Sequence, residues 1–104
     1  MLKFSILYPA QEGAKFDTDY YINKHLPLAK RLIGDKCTAI SMDVGMTGGA
    51  PDAPTPYAAI GNLLLDMETP EEFFTAFAPH VEIFGADIPN FTTIQPILQL
   101  SKTV

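Results

Sequence analysis

The chain has 104 residues, 47% of them apolar and 11% aromatic, enough for one compact domain over residues 1–104 with a real core and too little for two. A formal net charge of -5 and a pI near 4.7 exclude the clustered Lys and Arg that nucleic acid or an anionic membrane rewards, which leaves small molecules or proteins as partners. Apolar runs such as Asn62 to Met67 stop far short of the roughly 20 residues of a membrane span, and no cleavable leader opens the chain, so a cytoplasmic protein is expected.

Leu2, Phe4, Ile6 and Tyr8 alternate with Lys3 and Ser5, the period-two pattern of a strand with one wetter face, and Pro9 ends it. A turn follows, with Gly13 available for positive φ. The stretch from Phe16 to Gly34 then reads as an amphipathic helix with Asp17 as N-cap, Phe16 and Tyr21 as a hydrophobic staple, and Gly34 as C-terminal cap.

Cys37 to Met46 alternates again, with Ile40, Met42, Val44 and Met46 on one side and Ser41 and Asp43 on the other. Cys37 is the only cysteine; it excludes an internal disulfide and a multi-thiolate metal site, and fits a small buried hydrophobe. Three prolines and two glycines between Thr47 and Pro56 make an exposed hairpin loop. Tyr57 to Met67 reads as a central strand covered on both faces, in which Gly61 marks a bulge or a close approach by a ligand.

Thr69, Pro70 and Glu72 form a capping box that starts a second helix, expected to bury Phe73, Phe74 and Phe77 and to stop at Pro79. A short turn of helix and a loop are expected from Pro79 to Phe91. The last strand is read over Thr92 to Thr103, where Pro96 demands a sheet edge or a bulge. Strand, helix, strand, strand, helix, strand predicts the α+β, ferredoxin-like βαββαβ arrangement: a four-stranded antiparallel sheet with both helices on one face. Its other face would expose either Tyr57, Ala59, Gly61, Leu63 and Leu65 or Ala58, Ile60 and Leu64, so a homodimer packing sheet on sheet is expected.

Within the first helix, Asp17, Tyr21 and His25 lie near one stripe. Pro27 withholds the N–H that the Asn23 carbonyl needs, which predicts a kink or break over residues 23–27 at a cost of roughly 3 kcal/mol in an ordinary helix interior. His25, whose ordinary pKa is about 6.5, is the best acid/base candidate, with Tyr21 as its hydrogen-bonding neighbour. Asp17 lies about 12 Å along the helix and is occupied as a cap, so Asp43 on a strand is the nearer carboxylate to consider. A structural role is the alternative for His25: a hydrogen bond to the freed Asn23 carbonyl. His80 fits a surface or capping role. Two histidines without an acidic cluster make no metal site, and no cofactor motif is present. The aromatics Phe16, Tyr20, Tyr57, Phe74 and Phe77 are core residues first, but their excess also suits a flat organic ligand.

Tyr8, Pro9, Gly13, Phe16, Asp17, Tyr21, His25, Pro27 and Leu28, together with the closing run from Ala86 to Ser101, resemble the EthD family, small proteins named for the degradation of ethyl tert-butyl ether. The resemblance covers essentially the whole chain. It implies a dimeric α+β barrel in which two ferredoxin-like sheets pack face to face, with a pocket in each subunit between sheet and helices. The wider superfamily includes cofactor-free isomerases, polyketide cyclases and small oxygenases, whereas many EthD-like members have no assigned reaction. The position of His25 matches the family motif. The leading expectation is a cofactor-independent isomerase or cyclase acting on a small aromatic or lactone-like carbonyl compound, with His25 and Tyr21 catalytic. A non-catalytic protein that holds a hydrophobic metabolite for an oxygenase is the alternative, and a haem- or metal-dependent oxygenase a third.

Overall fold

The computed structural model describes residues 1–104. Strand β1 (Leu2–Pro9) leads to a continuous helix made of α1 (Thr18–Tyr20), a π-helical turn (Tyr21–His25) and α2 (Leu26–Ile33). Strands β2 (Cys37–Val44) and β3 (Tyr57–Leu65) form a hairpin. Helices α3 (Pro70–Phe77) and α4 (Val81–Asp87) then precede strand β4 (Ile97–Lys102). The sheet order is β2-β3-β1-β4 with every pairing antiparallel, which is the expected ferredoxin-like topology.

Alternation fixes which sheet face meets the helices. Leu2, Phe4 and Tyr8 of β1 are buried beside Leu65, Leu63 and Ala59 of β3, whereas Lys3 points to solvent. Tyr21, Leu26, Ala29, Phe73 and Phe84 close over them from the helices. Cys37 is buried in the same core, and burial pushes its thiol pKa up. The outer face of β3 therefore carries Ala58, Ile60 and Leu64, all half-buried. It is more polar than expected at its centre, because buried Asn62 donates to Ser41 Oγ at 3.2 Å and to Asp43 Oδ2 at 3.0 Å.

Caps and turns follow local chemistry. Gly13 and Gly34 take positive φ of 76° and 98°, and Asp17 accepts from the Tyr20 N–H at 3.0 Å. Thr69 accepts from the Glu72 N–H, but the Glu72 carboxylate turns to the Glu68 N–H, one residue upstream of the expected partner. That hydrogen bond and Lys36 hold the Glu72 carboxyl below its ordinary pKa.

Three expectations need correction. Phe74 is half-exposed, because a helical turn that points Phe73 and Phe77 toward the core rotates Phe74 toward solvent. The expected stop before Pro79 holds, by contrast: α3 ends at Phe77, a 3₁₀ segment (Ala78–His80) carries Pro79, and α4 follows as a separate short helix. Strand β2 ends at Val44, leaving Met46 exposed. Strand β4 begins at Ile97 on a sheet edge, so residues 92–96 pass Pro96 outside the ladder.

Candidate functional site

The histidine helix does not break. The N–H of Leu26 donates to the carbonyl of Tyr21, five residues back, so the chain widens into one π turn and resumes as α2 with Pro27 in its first turn. The wide turn stands directly before Pro27, whose missing N–H removes one rung of the helical ladder. Single π turns of this kind cluster at functional sites. This one stacks the rings of Tyr21 and His25 at 5.4 Å and 22°.

His25 does not cap the Asn23 carbonyl. Its Nδ1 stands 2.7 Å from Oδ2 of Asp87, at the end of α4, and both side chains are largely enclosed. Asp87 also accepts from Tyr20 Oη at 2.7 Å and from Asn90 Nδ2 at 3.0 Å. Burial works to raise the Asp87 carboxyl, but the hydrogen bonds from His25, Tyr20 and Asn90 outweigh it and hold the pKa below the ordinary carboxylate value. The hydrogen bond to Asp87 raises the Tyr20 phenol in turn. An ionised carboxylate only accepts, so Nδ1 carries the proton and Nε2 of the neutral ring is left with its lone pair. No buried side-chain nitrogen or oxygen lacks a partner, and His25 has no other hydrogen bond; Nε2 therefore remains accessible.

His25 lines a cavity of about 220 Å³ between the sheet and the helices. Phe4, Tyr8, Leu26 and Leu63 form its floor, and Phe77 and Phe84 stack at 5.3 Å along one side. Phe91 packs 4.6 Å from the imidazole and supports it from behind. The lining is mostly apolar, and its accessible polar side chains are His25 and Gln95. No three His, Cys, Asp or Glu side chains converge in a way that could hold a metal ion.

The residues singled out in the sequence divide into three groups. His25, Tyr21 and Phe77 line the cavity. Tyr21, however, has no exposed surface, and its hydroxyl lies directly beneath Gly61, 3.3 Å from Tyr8 Oη. Burial raises its phenol pKa far above the ordinary value and pushes Tyr8 up to about 12. The hydrogen-bond donor role expected of Tyr21 does not fit this enclosure; the ring backs the imidazole instead. The close approach at Gly61, expected of a ligand, is made instead by the Tyr21 side chain.

Tyr20 and Phe16 stand beside the site without lining the cavity: Tyr20 holds Asp87, and Phe16 packs on Tyr8, Tyr21 and Phe91. Tyr57 lies at the far end of β3 opposite Pro9, and Phe74 faces solvent, so neither joins His25. Asp43 is on the opposite sheet face and serves Asn62, which corrects the expectation that it could orient His25. Sequence reasoning missed Asp87, Phe91 and Gln95. The only signal was the run from Ala86 to Phe91, in which a lone carboxylate precedes a proline and an aromatic.

No family model and no curated protein matches the chain. Among solved structures it is similar to an EthD-like protein from Ralstonia eutropha JMP134, with 35% identity, a TM-score of 0.88, and 97% of this chain and 89% of that chain covered. It also shares its fold with an ethyl tert-butyl ether (EthD) family protein from Bacillus halodurans C-125, at 18% identity and a TM-score of 0.68 over 100% of this chain and 99% of that one. At 35% identity to the Ralstonia eutropha protein over nearly its full length, the chain belongs to the EthD-like family.

Proposed function

We propose that the cavity binds a small aromatic or lactone-like carbonyl compound and that His25 acts on it as a cofactor-independent acid/base, the chemistry of an isomerase or cyclase. The observation that carries this reading is the 2.7 Å bond between His25 Nδ1 and Asp87, which fixes the ring and leaves Nε2 free. In this mechanism Nε2 takes a proton from the carbon next to the substrate carbonyl, leaving an enolate. Asp87 stabilises the imidazolium, and the same proton is returned at the enolate oxygen or at a second carbon. Gln95 offers an amide donor to the developing oxyanion. A positioned acid/base of this kind contributes about a hundred- to ten-thousandfold.

Turnover of a panel of aryl ketones and unsaturated lactones tests the proposal. His25→Ala and His25→Gln abolish turnover while leaving the fold intact; wild-type rates in both variants overturn it. The mostly apolar lining favours a second reading, in which the cavity holds such a compound without changing it for an oxygenase. That reading predicts ligand-dependent thermal stabilisation with no product. We also read the chain as a homodimer, because Leu7, Ile60, Leu64 and Ile97 share the outer sheet face. A concentration-independent monomer mass in ultracentrifugation refutes this.

A further inference from the structure

Val81, Phe84, Gly85 and Ile88 all line the cavity, at the i, i+3, i+4, i+7 spacing that places residues on one helical face. Of these four, Phe84 is buried, whereas Val81 and Gly85 are exposed. Across from them, Gln95 and Leu98 at the entry to β4 line the cavity and are exposed as well. The floor residues Phe4, Tyr8 and Leu63 are all buried. A lining that is exposed at one end and closed at the other describes a mouth, and this mouth opens between α4 and the start of β4.

Gly85 has no structural reason to be glycine. Its φ is not positive, so its backbone is open to any L-residue. A Cβ built on it would meet nothing within 4 Å, so no neighbour demands a close approach there. Glycine inside a helix is less favourable than alanine. The one thing its missing side chain provides is width at the cavity mouth.

We infer that Gly85 is the sill of the entrance, across which ligands reach His25, and that its lack of a side chain sets the breadth of ligand admitted. This inference rests on the proposed reading of the cavity as a small-molecule site. A volume of about 220 Å³ is the liquid share of about seven waters, which suits a single ring with a short substituent. In that size range, one added methyl or isobutyl group at the rim decides what passes.

The test uses acetophenone and the broader 4-tert-butylacetophenone as probes, followed by NMR titration and line-shape kinetics on the full-length wild type, Gly85→Ala and Gly85→Leu. Gly85→Leu is expected to slow acetophenone association about tenfold or more, and Gly85→Ala to do so about two- to threefold, with the broader probe affected more. Gly85→Ala is also expected to raise the Tm by about 4 °C through helix propensity, so it keeps the test informative if Gly85→Leu folds poorly. Ala86→Leu, next along the helix and outside the lining, is the control and leaves association unchanged. If acetophenone binds the wild type and enters both Gly85 variants at the wild-type rate, the sill is overturned and the cavity reading stands. If neither probe binds the wild type, both readings fall.

Discussion

His25 and Asp87, separated by 62 positions in the chain, meet through a 2.7 Å contact between Nδ1 and Oδ2 that joins the π turn to the end of α4. Three donors converge on that carboxylate, and His25 is the one that lines the cavity. Asp87 therefore acts as a positioning residue for the imidazole.

This arrangement predicts one tautomer. In long-range ¹H–¹⁵N spectra at a pH where His25 is neutral, Nδ1 carries the proton and Nε2 is bare. Asp87→Asn preserves the shape but offers the ring an amide whose orientation Tyr20 and Asn90 contest. The single-tautomer signature is lost in that variant, and any turnover falls about a hundredfold or more. Asp87→Ala leaves the three donors without their acceptor and lowers stability by about 1 to 3 kcal/mol in urea denaturation.

Acid stability follows from the depressed Asp87 carboxyl with a definite sign. The unfolded chain, whose carboxyl has its ordinary pKa near 3.9, binds more protons than the folded one in this range. Stability from this group is fully present above the ordinary value and is lost as pH falls through the lower folded value. Wild type is expected to lose stability between about pH 5 and pH 2 more steeply than Asp87→Asn, which has no charge to lose. Parallel stability curves for the two proteins over that range contradict the assignment.

Gly61 and Tyr21 give a packing prediction. A Cβ at residue 61 would collide with the Tyr21 hydroxyl in the middle of the sheet, where neither backbone nor ring has room to retreat. Gly61→Ala is expected to cost about 1 to 3 kcal/mol. It should also shift the ring resonances of His25, which stacks on Tyr21. Tyr21→Phe in the same background recovers part of the loss by removing the colliding oxygen, a non-additivity that a double-mutant cycle measures.

Much of the fold can be read locally because local rules govern it. Alternation marks Leu2 to Tyr8 as a strand, and Asp17, Thr69, Gly13 and Gly34 announce their turns and caps by chemistry that acts over a few residues. The site is less legible for the same reason. The tie between His25 and Asp87 depends on how α4 packs against the first helix, which no periodicity encodes. The π turn is hidden because hydrophobic spacing does not distinguish a five-residue hydrogen bond from a four-residue one, and Pro27 signals only that the ladder must change. Phe74 shows the limit of composition: three phenylalanines lie within five residues, but one helical face has room for Phe73 and Phe77 alone.

The most direct measurement of the central claim is the ¹⁵N resonance of His25 Nε2 during titration with acetophenone, with Nδ1 as the internal reference. If His25 meets ligands in the cavity while Asp87 holds its other nitrogen, Nε2 moves with saturation, Nδ1 keeps its proton, and His25→Gln removes the response. Saturable binding of acetophenone with both His25 nitrogens unmoved would place the ligand elsewhere and contradict the account.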